Sequence, residues 1–249
     1  MIYGLWLSAA GLQANSHRQA VLANNLANAE TTGFKQDLVV FRQRVVESQE
    51  AGGGLGLVHP VLDGLTGGTW AGPTYTDFGQ GTVAPTGDPL DVAIVGKGFL
   101  SVETNGGVYY TRDGSLSMGA DGGLVTVRGE RVLDDAGAAI AVPPGSAVRI
   151  DEAGQVWADG AVVGRLGLVD FSDSDRLVKV GQNLFDGRFA ERAAFGGRLQ
   201  PGALEQSTVE PVELLARYIE ASRAYEMNAE LITLQDELLG RAVNDIGRT

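Results

Sequence analysis

The chain of 249 residues has no cysteine. That excludes a disulfide framework, a thiol nucleophile and a zinc site built on thiolates. Its two histidines, His17 and His59, each lack a second histidine at metal-ligand spacing, so no metal site is expected. No stretch approaches the roughly 20 apolar residues of a membrane span. Cationic side chains are scarce, 19 against 31 acidic ones for a formal net charge of −12, and no basic patch marks a nucleic-acid partner. The opening Met-Ile-Tyr-Gly-Leu-Trp-Leu lacks the basic start and bounded apolar core of a secretory signal peptide, so the N-terminus is expected to be retained.

Catalytic patterns are missing as well. Gly96-Lys97-Gly98 invites a phosphate-loop reading, but the Gly and the Ser or Thr that such a loop needs are replaced by Asp91 and Gly98. No Gly-x-Ser-x-Gly elbow occurs. A carboxylate pair, Asp113 with Asp121 or Asp91, could act on a glycoside. These aspartates stand beside glycines and read as solvated turn residues instead. The chain is expected to be no enzyme, with no cofactor and no small-molecule substrate.

What the chain has in excess is glycine, 36 residues, most of them between the two ends. The middle therefore reads as short strands and tight turns, with Phe99–Val102 and Val108–Thr111 flanking Asn105-Gly106-Gly107 as a hairpin. The ends read as helices. Stepping by seven from Tyr218 gives Tyr225, Ile232, Leu239 and Ile246, an apolar row that asks for a partner helix. The row three residues earlier, Leu215, Ser222, Ala229, Asp236 and Val243, is diluted by polar residues. At the N-terminus Ile2, Leu5, Ala9, Leu12, Ser16, Gln19, Ala23 and Leu26 repeat the 3,4 spacing over a helix of residues 2 to 28. Asn24, Asn25 and Asn28 are costly there for helix propensity, which points to interhelical hydrogen bonds, a helix end or simple fraying. Leu5, Leu12, Leu26, Asn24, Asn25, Asn28, Leu215, Tyr218, Tyr225, Ile232, Leu239 and Ile246 are thus the candidate interface residues.

The expected fold is α+β: N- and C-terminal helices pairing in a coiled-coil-like helical domain, and a central Gly-rich antiparallel β domain. Residues 1–50 and 201–249 form the helical domain and 75–200 the β domain, which should hold a folded unit from about Tyr75 to Leu199. Residues 51–74 are a hinge, centred on Gly52-Gly53-Gly54. The segment from Phe34 to Val46 suits either a helix or a strand. Ser207 and Glu210 have capping-box spacing ahead of the last helix, Pro211 suits its first turn, and Gly247 its stop.

Four blocks carry a family resemblance: Ala23–Lys35 (Ala-Asn-Asn-Leu-Ala-Asn-Ala-Glu-Thr-Thr-Gly-Phe-Lys), Thr86–Phe99, Tyr110–Leu116 and Arg223–Asn228. Together, and in this order, they resemble the signatures of bacterial flagellar basal-body rod and hook proteins, fading between about Leu133 and Leu199. The resemblance implies a structural subunit of the basal-body rod, exported uncleaved by the flagellar export apparatus and polymerising helically through its terminal helices with copies of itself and other rod subunits. Glu210-Pro211-Val212 and the stretch Leu239–Asn244 favour the proximal rod subunit, while Met1–Lys35 is equally similar to the distal one. A distal rod or hook-type subunit, and outside the family a β-rich glycoside hydrolase or binding module, are the alternatives.

Overall fold

The computed structural model describes residues 2–43 and 68–246. Two helices bound the chain, α1 (Ile2–Ala27) and α2 (Pro211–Ile246). Between them lie β1 (Asp37–Gln43), β2 (Thr69–Thr76), β3 (Val83–Pro85), β4 (Val92–Val95), β5 (Phe99–Thr104), β6 (Gly107–Thr111), β7 (Leu116–Met118), β8 (Leu124–Thr126) and β9 (Arg131–Val132). The strands continue with β10 (Val148–Ile150), β11 (Gln155–Ala158), β12 (Ala161–Arg165), β13 (Leu168–Phe171), β14 (Val178–Gly181), β15 (Leu184–Asp186), β16 (Arg192–Ala193), β17 (Arg198–Pro201) and β18 (Ala203–Glu205). The fold is α+β, with the helices at the ends and an antiparallel β region between them.

The chain divides into two compact units. One contains residues 1–27, 37–75 and 210–249, the other residues 28–36 and 76–209. In the helical unit α1 and α2 run antiparallel, since Gly4 approaches Gln235 and Gly11 approaches Asn228. The β1–β2 ribbon also belongs here. Of the segment left open between helix and strand, residues 37–43 are a strand, and residues 69–74, assigned to the hinge from their glycines, lie in β2. The hinge glycines Gly52, Gly53 and Gly54, and the stop at Gly247, lie outside the described residues.

In the β unit the main sheet runs β14-β15-β6-β5-β9-β8-β7, with β13 paired to β5 and β16. The Asn105-Gly106 turn joins β5 to β6 in register from Leu100–Thr111 to Thr104–Gly107. Strand β5 is buried on both faces. Leu100 and Val102 enter an aliphatic core with Val92, Ile94, Leu124, Val132, Val156 and Leu166. Phe99 points the other way, into an aromatic core with Tyr110, Phe171 and Phe185. Residues 201–205, assigned from sequence to the helical domain, instead complete β17 and supply β18, which pair with β4 and β3.

Candidate assembly surface and its anchoring loop

The helical unit presents two faces of α2. Tyr218, Tyr225, Ile232 and Leu239 are half-buried, in line with their heptad spacing. The second row on the α1 side is offset by one residue from the expected one. Leu214 and Ala221 are buried, Asn228 lies against Gly11, and Gln235 donates to Ser8 Oγ at 3.4 Å. Leu215 and Val243 of the expected row are exposed instead, at 48% and 67%. The reason is the approach of the backbones: Gly4, Ser8 and Gly11 form a small-residue row on α1, so that the polar ends of Asn228 and Gln235 fit where a leucine row would need more space.

On α1, Leu5, Leu12 and Leu26 are half-buried. Asn25 holds the strand that follows the loop rather than the other helix. Asn25 is buried and clasps the start of β1, its Nδ2 donating to Asp37 O at 2.7 Å and its Oδ1 accepting from Asp37 N at 2.9 Å. Asn28 ends the helix and accepts from Thr31 Oγ1 at 3.2 Å, while Asn24 is exposed on the helix surface. Ile246 closes α2, and its side chain lies outside the described residues. The outer face of α2 carries a second apolar stripe: Leu215, Ile219, Met227, Leu231, Leu234 and Leu238, interrupted at Arg223. Among the described residues this stripe stays exposed. A cleft of about 320 Å³ on the same unit is lined by Trp6, Ala10, Ala14, His17 and Trp70.

Sequence reasoning missed the loop that follows α1. Residues 28–36 belong to the β unit, although the chain on either side belongs to the helical one. Gly33 stands at φ +64, which favours glycine, and a Cβ there would run into the Arg112 carbonyl, which requires it. Phe34 is buried and takes the Lys179 ammonium 4.1 Å from its ring centroid. Lys35 is wholly buried, and its Nζ donates to Glu205 Oε1 at 2.6 Å and to Gly79 O at 2.7 Å. Arg112 Nη1 reaches the other Glu205 oxygen at 3.2 Å, and Gly81 N donates to Oε1 at 2.8 Å. Burial lowers the pKa of Lys35 and of Arg112, an effect opposed by the shared Glu205 carboxylate.

Asp113 corrects the reading of it as a solvated turn. It is half-buried, accepts from Thr32 Oγ1 at 2.7 Å and from Ser115 N at 3.1 Å, and burial raises its carboxyl above the ordinary 3.8. Asp91 accepts from Thr86 Oγ1 at 2.6 Å, and Asp121 is exposed in an ion pair with Arg131. Each of the three carboxylates is engaged in holding local structure. Among the described residues no group of three or more acidic or histidine side chains is placed to hold a metal ion.

The helical ends, the β middle and the loop between them coincide with three family models. "Flagella basal body rod protein" matches residues 7–35, "Flagellar hook protein FlgE/F/G D1 domain" residues 93–158, and "Flagellar basal body rod FlgEFG protein C-terminal" residues 200–245. The flagellar basal-body rod protein FlgF of Caulobacter vibrioides is 36% identical over 92% of this chain and 91% of its own length. The chain belongs to the flagellar basal-body rod protein family. The rod protein FlgG of Buchnera aphidicola is 33% identical over 96% of this chain and 98% of its own, and that of Bacillus subtilis 31% over 98% and 99%. Within this family the Ala23–Lys35 signature has a physical reading here: it is the end of α1 followed by the loop that enters the β unit.

Proposed function

We propose that the chain is a structural subunit of the bacterial flagellar basal-body rod, assembling helically through its terminal helices with copies of itself and with other rod subunits. The observation that carries this is the outer stripe of α2, from Leu215 to Leu238, which is exposed among the described residues of a chain of net charge −12. An apolar ridge of that length marks a protein contact. The ridge and the Trp6–Trp70 cleft are different surfaces of one unit, as head-to-tail contacts that generate a helix require. No helix among the described residues is long and apolar enough to cross a membrane. The subunit is exported by the flagellar export apparatus, occupies the rod in the basal body and performs no catalysis, its candidate carboxylates being taken up by hydrogen bonds and an ion pair.

The rod position we favour is the proximal one, on the strength of Glu210-Pro211-Val212 and the Leu239–Asn244 ending. The test is a deletion strain complemented with wild type or with Leu234→Asp, scored for motility and for the subunit in isolated basal bodies. Wild type restores both; Leu234→Asp accumulates but is absent from the rod. Swimming cells carrying the variant would overturn the reading.

A further inference from the structure

The loop of residues 28–36 is held in the β unit as a bound peptide is held in a receptor. The chain leaves the helical unit after residue 27 and returns to it at residue 37. Every tie of the nine intervening residues to the rest of their unit is therefore non-covalent. The ties are residue-specific. Thr32 O accepts from Asn183 Nδ2 at 2.8 Å and Thr32 Oγ1 donates to Asp113. Gly33 N donates to Glu205 O at 2.7 Å in a left-handed conformation that favours glycine. Phe34 is buried under Lys179, and Thr208 N donates to Phe34 O at 3.1 Å. Lys35 inserts its ammonium against Glu205, and Lys179 Nζ caps its carbonyl at 2.7 Å. Gln36 N donates to Thr208 Oγ1, and Gln36 O accepts from Asp77 N. Main-chain bonds supply attraction while pockets for Phe34 and Lys35 supply selection, as in extended-peptide recognition generally.

We infer that the β unit carries a recognition groove for the Thr-Gly-Phe-Lys-Gln segment, and that this groove accepts the segment from a second copy of the chain as well as from its own. The contacts in the groove would be the same for either source. Tethering favours the chain's own segment in dilute solution, and a neighbour competes once subunits are crowded, because the preference is one of effective concentration. The occupant is fixed by chemistry: a buried cation for Glu205, an aromatic ring for Lys179 and a glycine where a Cβ would strike the Arg112 carbonyl. The inference stands apart from the flagellar reading, since it uses only contacts within the β unit.

The experiment uses the full chain. Gly33→Ala displaces the resident segment without altering the groove, and a labelled peptide of residues 28–36 is then titrated by fluorescence anisotropy. It binds the variant at least tenfold more tightly than the wild type, and a peptide with the Lys35→Met change loses at least tenfold of that affinity. Weak binding equal for both proteins, or no binding by a variant whose β5 and β6 amides stay protected from hydrogen exchange, overturns the groove. If those amides lose protection, a second measurement decides alone. The chain has no cysteine, so Thr32→Cys and Asp113→Cys chains can be mixed at high concentration and oxidised. Their heterodimer forms in excess over the product of Thr32→Cys with the exposed Asn105→Cys hairpin; parity between the two overturns exchange between copies.

Discussion

Around Glu205 two cations share one anion, Lys35 at 2.6 Å and Arg112 at 3.2 Å, all three side chains buried. Removing one partner of a buried pair costs about 3–5 kcal/mol because it strands the other charge. Glu205→Gln strands two cations and is expected to cost that amount in urea denaturation. Lys35→Met leaves Glu205 and Arg112 matched, and its loss should be clearly smaller. Asp113 gives a second expectation, with its sign set by linkage. Its folded pKa is raised, so its contribution is full below its ordinary 3.8 and declines as pH rises through the folded value. Asp113→Asn keeps an oxygen for Thr32 and Ser115 but has no charge to bury. The variant should therefore gain stability relative to wild type between pH 3.8 and neutrality, and a paired urea series at pH 3.5 and 7 checks it. None of this was legible locally: Arg112-Asp113-Gly114 looks like any turn, and the covering Thr32 lies 81 residues away.

At the scale of the element, α2 uses its inner and outer rows for different purposes, and substitutions should separate them. Ile232 is on the half-buried inner row, where an unpaired carboxylate costs several kcal/mol. Ile232→Asp is expected to open the α1–α2 pair, seen as lost helical circular dichroism and as failure to enter the rod. Leu234 is on the outer stripe and exposed, so Leu234→Asp should keep the monomer's dichroism unchanged and lose only incorporation. Equal dichroism for the two variants would count against this division. The 3,4 period of these helices was plain in the sequence, but its phase was not. Leu214 and Leu215 are identical side chains one step apart, and only one is buried. What selects the phase is the glycines of α1 with Asn228 and Gln235, and a reading tuned to apolar spacing passes over small and polar residues.

For the molecule as a whole, the placement of helices at the ends and strands between them could be read from where glycine accumulates. The limits of the β unit could not, because they depend on partners remote in the chain. A fragment from Tyr75 to Leu199 lacks β18, part of β17 and the loop, and so lacks the partners of β3 and much of β4. It is expected to show no cooperative thermal transition by calorimetry, whereas a fragment of residues 28–209 is expected to show one.

The spacing of the buried cluster along the chain also sets an order of events. Lys35 leaves the ribosome well ahead of Glu205, 170 residues later. Until β18 exists the lysine has no acid to meet, and pairings of such separation are slow to form. The last strand of the β unit is thus the latch for its first loop. A chain wired this way can pair its local hairpins early but can lock its first loop only as its final helix begins to appear.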